Sequence, residues 1–282
     1  MNKRIAIVTG SSTGIGKATV LHLSRKGFLV FAGIRRESDA EQFQSLKGIF
    51  PLLLDVSSQD SVEKAVEIAA EKLNTASEVH LINNAGIVVA GPVEGVSLTR
   101  WKEQFEVNFF GLLRVTQTLL PYIRKTRGRI VNISSISGLA AFPYLGPYCA
   151  SKFAVEALSD ALRRELRQFG CSVVVIEPGP INTPIWEKNL KKKDELITAL
   201  SSEQRELYGK ELNQFQLGVE QSSKDAVSVE EVTRAIEKAL TSTRPRTRYI
   251  VGSKVLATQM ALAKILPDTW LDLMVAQRFR GE

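Results

Sequence analysis

Tyr148 and Lys152 stand four residues apart at the head of a stretch, 149–169, whose apolar residues recur at helical spacing. Helical neighbours at that separation share a face, so phenol and ammonium project to the same side. A phenol titrates at about 10 when unperturbed, and a neighbouring ammonium favours its ionised form. Such a pair can take a proton from an alcohol or return one to a carbonyl oxygen, as hydride exchange between an alcohol carbon and a nicotinamide requires. A second feature lies near the N-terminus, where Thr9–Thr19 reads TGSSTGIGKAT directly after the apolar run Ile5–Val8. It nearly spells two phosphate-binding loops. A nucleoside triphosphatase loop has four residues between its first Gly and Gly-Lys-Ser/Thr. Here five residues separate Gly10 from Gly16, and Ala18 stands where the Mg²⁺-binding hydroxyl belongs. The dinucleotide pattern G-x-G-x-x-G also fails as written, because the glycines fall at Gly10, Gly14 and Gly16.

The elements that must carry these residues decide between the two loops. Short β-branched runs at 4–9, 28–33, 49–54, 79–83, 129–134 and 172–177 read as strands. Their near-continuous hydrophobicity implies burial on both faces, as in a parallel sheet covered by helices. Helical spacing is legible at 16–26, 59–73, 101–125 and 149–169, with a capping hydroxyl before acidic residues at Ser58 and Ser228. The layout is α/β: a doubly wound parallel sheet, three-layer α/β/α, of the Rossmann kind. In that setting Gly10 permits the tight turn, Gly14 and Gly16 permit close approach of backbone and helix, and the helix start faces a pyrophosphate.

With that context, further motifs fall in order. T-G-x-x-x-G-I-G from Thr9, Asp55-Val56, Asn83-Asn84-Ala85-Gly86, Asn108, Ser135, Tyr148-x-x-x-Lys152 and Pro178-Gly179 together resemble the short-chain dehydrogenase/reductase family, over residues 5–183. The resemblance implies that Asn108, Ser135, Tyr148 and Lys152 are catalytic. Asn108 would position a water in a proton relay, and Lys152 would also hold the nicotinamide ribose. Ser135 would donate to the substrate oxygen where negative charge develops; Ser134 is its alternative in this register. It further implies cofactor contacts from Gly10, Ser12, Gly14, Ile15, Gly16, Asp55, Val56, Asn84, Ala85, Gly86, Pro178, Gly179, Ile181 and Thr183. Ile181 would meet the carboxamide through its backbone, and Thr183 the diphosphate. Asp55 can equally cap the following helix. Cys149, beside Tyr148 and turned about 100° from it, reads as a core residue.

Cofactor choice depends on the end of the second strand. An acidic residue there accepts the ribose hydroxyls and repels a 2′-phosphate. Phe31-Ala32-Gly33-Ile34-Arg35-Arg36 has Gly33 at that position, followed by two guanidinium groups. Arg35 can grip a phosphate in fork geometry, so NADP(H) is favoured over NAD(H). Thr13 is neutral where some NADP-preferring relatives are basic.

Composition excludes other classes. The net charge of +7 is spread over short groups at 124–129, 188–193 and 244–248 rather than one stripe, which argues against nucleic acid. His22 and His80 are far apart without ligand-spaced partners, so no metal site and no Ser-His-Asp triad is expected; His22 reads as an ordinary helix residue and His80 as a strand start. Two cysteines, Cys149 and Cys171, make no disulfide framework and fit a cytoplasmic location. No run approaches the ~18 apolar residues of a membrane span.

The chain is expected to form a single catalytic domain over 1–282, with a helical flap at 180–223 and a tail at 253–282. Ile185, Trp186, Leu190, Leu196, Leu200, Leu207 and Phe215 of the flap can roof an apolar pocket, opposite Phe142, Pro143, Tyr144 and Leu145. The tail, containing ALAKILPDTWLDLMVAQRF, is amphipathic and can rest weakly on a membrane surface, cover the site or join a subunit contact. The flap and tail make the chain resemble hydroxysteroid and retinol dehydrogenases. The resemblance implies interconversion of a primary or secondary alcohol with its aldehyde or ketone on a lipophilic substrate such as a steroid or retinoid. It implies a homodimer or homotetramer through helices 101–125 and 148–169. A ketoacyl-thioester reductase and a non-catalytic dinucleotide-binding regulator are the alternatives.

Overall fold

A computed structural model of the protein describes residues 3–181, 200–224, 226–263 and 265–279. Strands β1 (Arg4–Val8), β2 (Leu29–Ile34), β3 (Ile49–Leu53), β4 (Glu78–Asn83), β5 (Arg129–Ile133), β6 (Ser172–Pro178) and β7 (Arg248–Val251) form one parallel sheet in the order β3-β2-β1-β4-β5-β6-β7. The chain builds outward from β1 to β3, then returns to β4 on the other side of β1. This reversal opens a crevice at the carboxyl ends of β1 and β4, where doubly wound sheets hold ligands.

Residues alternate across the sheet, and both faces are apolar. Ile5 and Ile7 of β1 enter one core layer with Val62, Leu119 and Leu162, carried by helices α2 (Gln59–Asn74), α4 (Gly111–Lys125) and α5 (Gly146–Leu166). Ala6 and Val8 enter the other with Val20, Leu23, Val232 and Ile236, from α1 (Gly14–Arg25) and the later helix Val229–Thr241. Burying each such aliphatic side chain contributes about 1.5–3 kcal/mol, so truncating Leu119 to Ala costs about 2–5 kcal/mol. His22 does more than the sequence implied. Its Nε2 lies 2.7 Å from Glu237 Oε2, tying α1 to the helix Val229–Thr241.

Two expectations change. The helix read as 101–125 is two helices, α3 (Leu98–Phe105) and α4, joined by a π turn over Glu106–Phe110. Such a turn adds about one residue and shifts the side-chain phase by about 100°, too small a change for the apolar spacing of one short stretch to reveal. The seventh strand, β7, was not anticipated. It is four residues long, begins at Arg248 after Arg244 and Arg246, and pairs in register with β6, Val175 opposite Arg248. Beyond β6 lie α6 (Ser202–Lys224), α7 (Val229–Thr241), α8 (Lys254–Ala263) and α9 (Asp268–Phe279). Ser228 stands at the N-cap of α7, but its side chain makes no capping bond.

Candidate active site

The glycine turn leaves β1 with Gly10 at φ +65° and Gly14 at φ +55°, both in the left-handed region that glycine adopts without steric cost. Gly16 is needed for space instead. A Cβ there would lie 2.3 Å from Gly10 O and 2.5 Å from Asn84 Nδ2. The turn is laced to the end of β4: Asn84 Nδ2 donates to Thr9 O (2.9 Å) and Gly10 O (3.0 Å), and Thr9 Oγ1 accepts from Asn84 N and Ala85 N (both 3.0 Å). Thr13 occupies the N-cap of α1 without a side-chain capping bond, and no acid lies in the first turn. The first amides of α1 are therefore left for an anion, the chemistry a dinucleotide phosphate needs. Gly33 is close-packed for the same reason as Gly16, since a Cβ would lie 2.9 Å from Val8 O. The residues present fit a dinucleotide.

The end of this crevice beside β2 is polar. Arg35 is exposed and has no hydrogen-bond or ion-pair partner among the described residues. Arg36 instead pairs with Asp39, through Nε to Oδ2 and Nη2 to Oδ1, both 3.2 Å, and Ser12 Oγ donates to the same Oδ2 at 3.0 Å. The Arg36 hydrogen bonds hold the Asp39 carboxyl below the usual range, against partial burial. Asp55 Oδ1 accepts from Ser57 N and Oγ (2.9 and 2.6 Å), so it fixes the turn while Ser58, not Asp55, caps α2. Burial opposes ionisation of Asp55, but the Ser57 bonds, with Arg35 and Arg114 nearby, hold its carboxyl low. Val56 is buried, and its backbone carbonyl accepts from Arg114 Nη1.

Ser135, Tyr148 and Lys152 come together beyond β5. Ser135 Oγ caps the short 3₁₀ turn Ile136–Gly138 by accepting from Ser137 N at 3.1 Å, and its side chain hydrogen-bonds the Tyr148 hydroxyl. Ser134 Oγ is buried without a hydrogen-bond partner among the described residues and crowds Gly138, where a Cβ would lie 2.8 Å from it; of the two serines, Ser135 is the one joined to the phenol. Lys152 Nζ donates to Ile133 O at 2.8 Å and sits 5.6 Å from the Tyr148 ring centroid. Here the simple expectation of an acidified phenol is overturned for the protein alone. Burial pushes Tyr148 up to about 12, against the Ser135 hydrogen bond, which lowers it. Burial also pulls Lys152 down to about 8, against the Glu156 carboxylate, which raises it. The ammonium hydrogen-bonds a backbone carbonyl, and desolvation dominates both groups.

Asn108 sits in the π turn, buried, with its amide clamped on Ile87: Oδ1 accepts from Ile87 N (2.8 Å) and Nδ2 donates to Ile87 O (3.0 Å) and Ser151 Oγ (3.2 Å). Two residues missed from the sequence complete this clamp. Gln104, one helical turn earlier and fully buried, donates to Ile87 O (2.9 Å) and accepts from Val89 N (2.6 Å). Ser151 Oγ donates to Tyr148 O at 2.7 Å. The polar i, i+4 pair Gln104 and Asn108 was the available signal. A continuous path thus runs from Gly10 through the loop at 84–89 to Asn108, Ser151 and Tyr148. A second unforeseen feature lies behind Lys152, where Arg248 of β7 meets Glu156 (3.1 Å), Asp160 (3.0 Å) and Glu177 (3.3 Å).

Around Tyr148, an apolar cluster joins Val88, Ile136, Phe142, Leu145 and Cys149 with Leu256 and Met260 of α8. Cys149 is core, as expected, and the tail helix covers this cluster. Of the flap residues, Leu200 is buried and Phe215 stacks edge-on against Tyr144 at 5.6 Å, but Leu207 is 60% exposed and roofs no pocket among the described residues. Thr183, Ile185, Trp186, Leu190 and Leu196 lie outside the described residues. Pro178 ends β6, Gly179 N donates to Val251 O (2.8 Å), and Ile181 is buried with its backbone bridged to Val227. Ile15 is partly buried against the α1–α7 core layer, and Gly86 abuts Asn108, where a Cβ would lie 3.4 Å from Oδ1. His80 lies inside β4 rather than at its start.

Comparison with known proteins is consistent with this arrangement. The family model described as short chain dehydrogenase matches residues 4–194. The chain is 36% identical over 281 residues to an NADPH-dependent 3-dehydrocapnine reductase of Ornithobacterium rhinotracheale, covering 95% of each. It is 35% identical over 258 residues to retinol dehydrogenase 7 of Mus musculus, covering 89% of this chain and 81% of that one. A short-chain dehydrogenase structure from Streptomyces avermitilis superimposes with a TM-score of 0.74 at 25% identity, covering 98% of this chain and 95% of that one.

Proposed function

The chain belongs to the short-chain dehydrogenase/reductase family, and from that premise we propose that it is an NADP(H)-dependent oxidoreductase interconverting a primary or secondary alcohol and its aldehyde or ketone. The observation that carries this reading is that hydrogen bonds and the 84–89 loop tie the glycine turn to the Tyr148 backbone, which sets a nucleotide cradle in fixed relation to a Ser135–Tyr148 pair with Lys152 beside it.

Each residue has a role set by its chemistry. The nicotinamide, when bound, supplies or accepts the hydride. Gly10, Ser12, Gly14, Ile15 and Gly16 would hold the diphosphate and adenosine, with Asp55, Val56, Asn84, Ala85 and Gly86 along the crevice floor and Pro178, Gly179 and Ile181 at its far rim; Thr183, outside the described residues, is assigned to the diphosphate from the family resemblance alone. Ser135 donates to the substrate oxygen, and Tyr148 passes its proton to that oxygen during reduction. A phenol held at about 12 is protonated at neutral pH and so carries the proton that carbonyl reduction requires. Lys152 spends one of its three donors on Ile133 O, and its others would hold the ribose. Asn108 holds the Ile87 backbone and, with Ser151, the start of α5.

Arg35, which makes no hydrogen bond or salt bridge among the described residues, and Gly33 in place of an acid support NADP(H) over NAD(H). The apolar cluster at Phe142 and Leu145, with Tyr144 stacked on Phe215, supports a lipophilic substrate. Phe110, Phe153 and Phe169, exposed on or beside α4 and α5, support pairing of copies through those helices. Two free, buried cysteines support a reducing compartment such as the cytoplasm. The test is loss of NADPH absorbance with purified protein against steroids, retinoids, sugars and acyl thioesters. Turnover of a lipophilic ketone or aldehyde is expected. Turnover of acyl thioesters alone makes it a ketoacyl-thioester reductase, and tight NADPH binding with no turnover makes it a regulator.

A further inference from the structure

We propose that Asp39 is a built-in competitor for the 2′-phosphate of the cofactor and sets how far the chain prefers NADPH over NADH. This rests on the reading that the adenosine end lies between Ser12 and Arg35.

Three observations lead here. First, the Asp39 carboxylate is bound as a phosphate would be: the Arg36 guanidinium meets it with two N–H donors at 3.2 Å, and the Ser12 hydroxyl donates at 3.0 Å. A planar fork plus a hydroxyl is a donor set for tetrahedral oxyanions as well as for carboxylates. Second, the carboxylate is held in place by its own loop. Gln42 Nε2 donates to Asp39 O (2.8 Å) and to Ser12 O (3.3 Å), pinning the turn Glu37–Phe43 onto the glycine turn. Third, the neighbouring Arg35 makes no hydrogen bond or salt bridge among the described residues, its charge acting on Asp39 and Asp55 only through space, so its N–H donors are left for a ligand, whereas Arg36, 75% exposed on its side chain, is already paired. Exposed pairs of this kind are weak, so a more highly charged phosphate can take over Ser12 and Arg36. It must then sit beside the displaced carboxylate, and that like-charge contact lowers affinity for NADPH while leaving the uncharged 2′-hydroxyl of NADH almost unaffected.

The experiment titrates NADPH, NADH and 2′,5′-ADP into the wild-type protein and the Asp39→Asn and Asp39→Ala variants, following fluorescence or heat. Removing one like charge near the phosphate tightens NADPH and 2′,5′-ADP by about five- to tenfold, with NADH changed by less than about twofold. The gain shrinks in high salt. Two variants are used because asparagine can keep the Ser12 bond and alanine cannot; melting curves confirm that both fold. Unchanged NADPH affinity in both variants overturns the proposal. So does weakened NADH binding, which makes Asp39 an acceptor for the ribose hydroxyls. Arg35→Ala separates the two levels: if it costs NADPH about tenfold while the Asp39 variants are silent, only the competitor role fails. If Arg35→Ala is silent too, the placement of the adenosine end fails with it.

Discussion

The pH dependence of carbonyl reduction follows from two groups whose positions differ by four decades in acidity. On the proposed roles, reduction needs Tyr148 protonated and Lys152 charged. Tyr148, at about 12, stays protonated throughout the useful range, whereas Lys152, at about 8, loses its proton just above neutrality. Accordingly kcat/KM for a carbonyl at saturating NADPH is flat below pH 8 and falls about tenfold per unit above it, with Lys152 rather than Tyr148 setting the limb. The perturbation is Glu156→Gln. Glu156 lies one helical turn beyond Lys152 on α5 and raises the lysine, while its far side pairs with Arg248 Nε at 3.1 Å. Two unit charges about 7 Å apart at an effective dielectric of about 20 interact by about 2 kcal/mol, and Arg248 offsets roughly half of that. The alkaline limb therefore moves down by just under about one pH unit, with the neutral plateau little changed. Initial rates from pH 6 to 10 read this directly. A wild-type limb at 10 or above, or a Glu156→Gln limb that coincides with wild type, refutes the electrostatic reasoning.

Other outcomes follow from the same contacts. His80 is buried in β4 with Nδ1 accepting from Arg129 N (3.2 Å) and Nε2 facing Glu78 (3.0 Å), and burial lowers it from 6.5 to about 4. The unfolded chain binds the proton first on acidification, so stability is full above pH 6.5 and declines as pH falls toward 4, by about 3 kcal/mol from this group. Urea unfolding of His80→Gln shows a flatter acid limb; parallel limbs contradict it. Gly16→Ala forces a Cβ within 2.3 Å of Gly10 O and costs about 1–3 kcal/mol, or about 2–10 °C in Tm, together with NADPH affinity. Gly209→Ala, with nothing within 4 Å inside α6, is the control and is neutral to stabilising by about 1 kcal/mol. Equal melting temperatures for the two variants contradict the close-approach account of Gly16.

Six strands were legible because a parallel strand buried on both faces is a continuous apolar run, as in Ile5–Val8 or Val173–Ile176. β7 was not, because its arginine-led sequence reads as solvent-facing. Arg248 is in fact satisfied inside by Glu156 and Asp160 of α5 and Glu177 of β6, two elements far before it in sequence. Ser135, Tyr148 and Lys152 were found through order and spacing, and they do converge. Gln104 and Ser151 were missed since neither belongs to a motif, and their value depends on the π turn that aims Gln104 and Asn108 at one loop. The ionisation of Tyr148 was also beyond reach: spacing shows that an ammonium is near, but only burial and the Ile133 carbonyl show which force dominates.

The central claim is that the Tyr148 hydroxyl supplies the proton. Tyr148→Phe removes only that oxygen, so the direct test compares single-turnover carbonyl reduction and NADPH binding in this variant with wild type. The account predicts turnover lowered by about 10²–10⁴-fold with NADPH affinity within about threefold. Turnover within tenfold of wild type would contradict it.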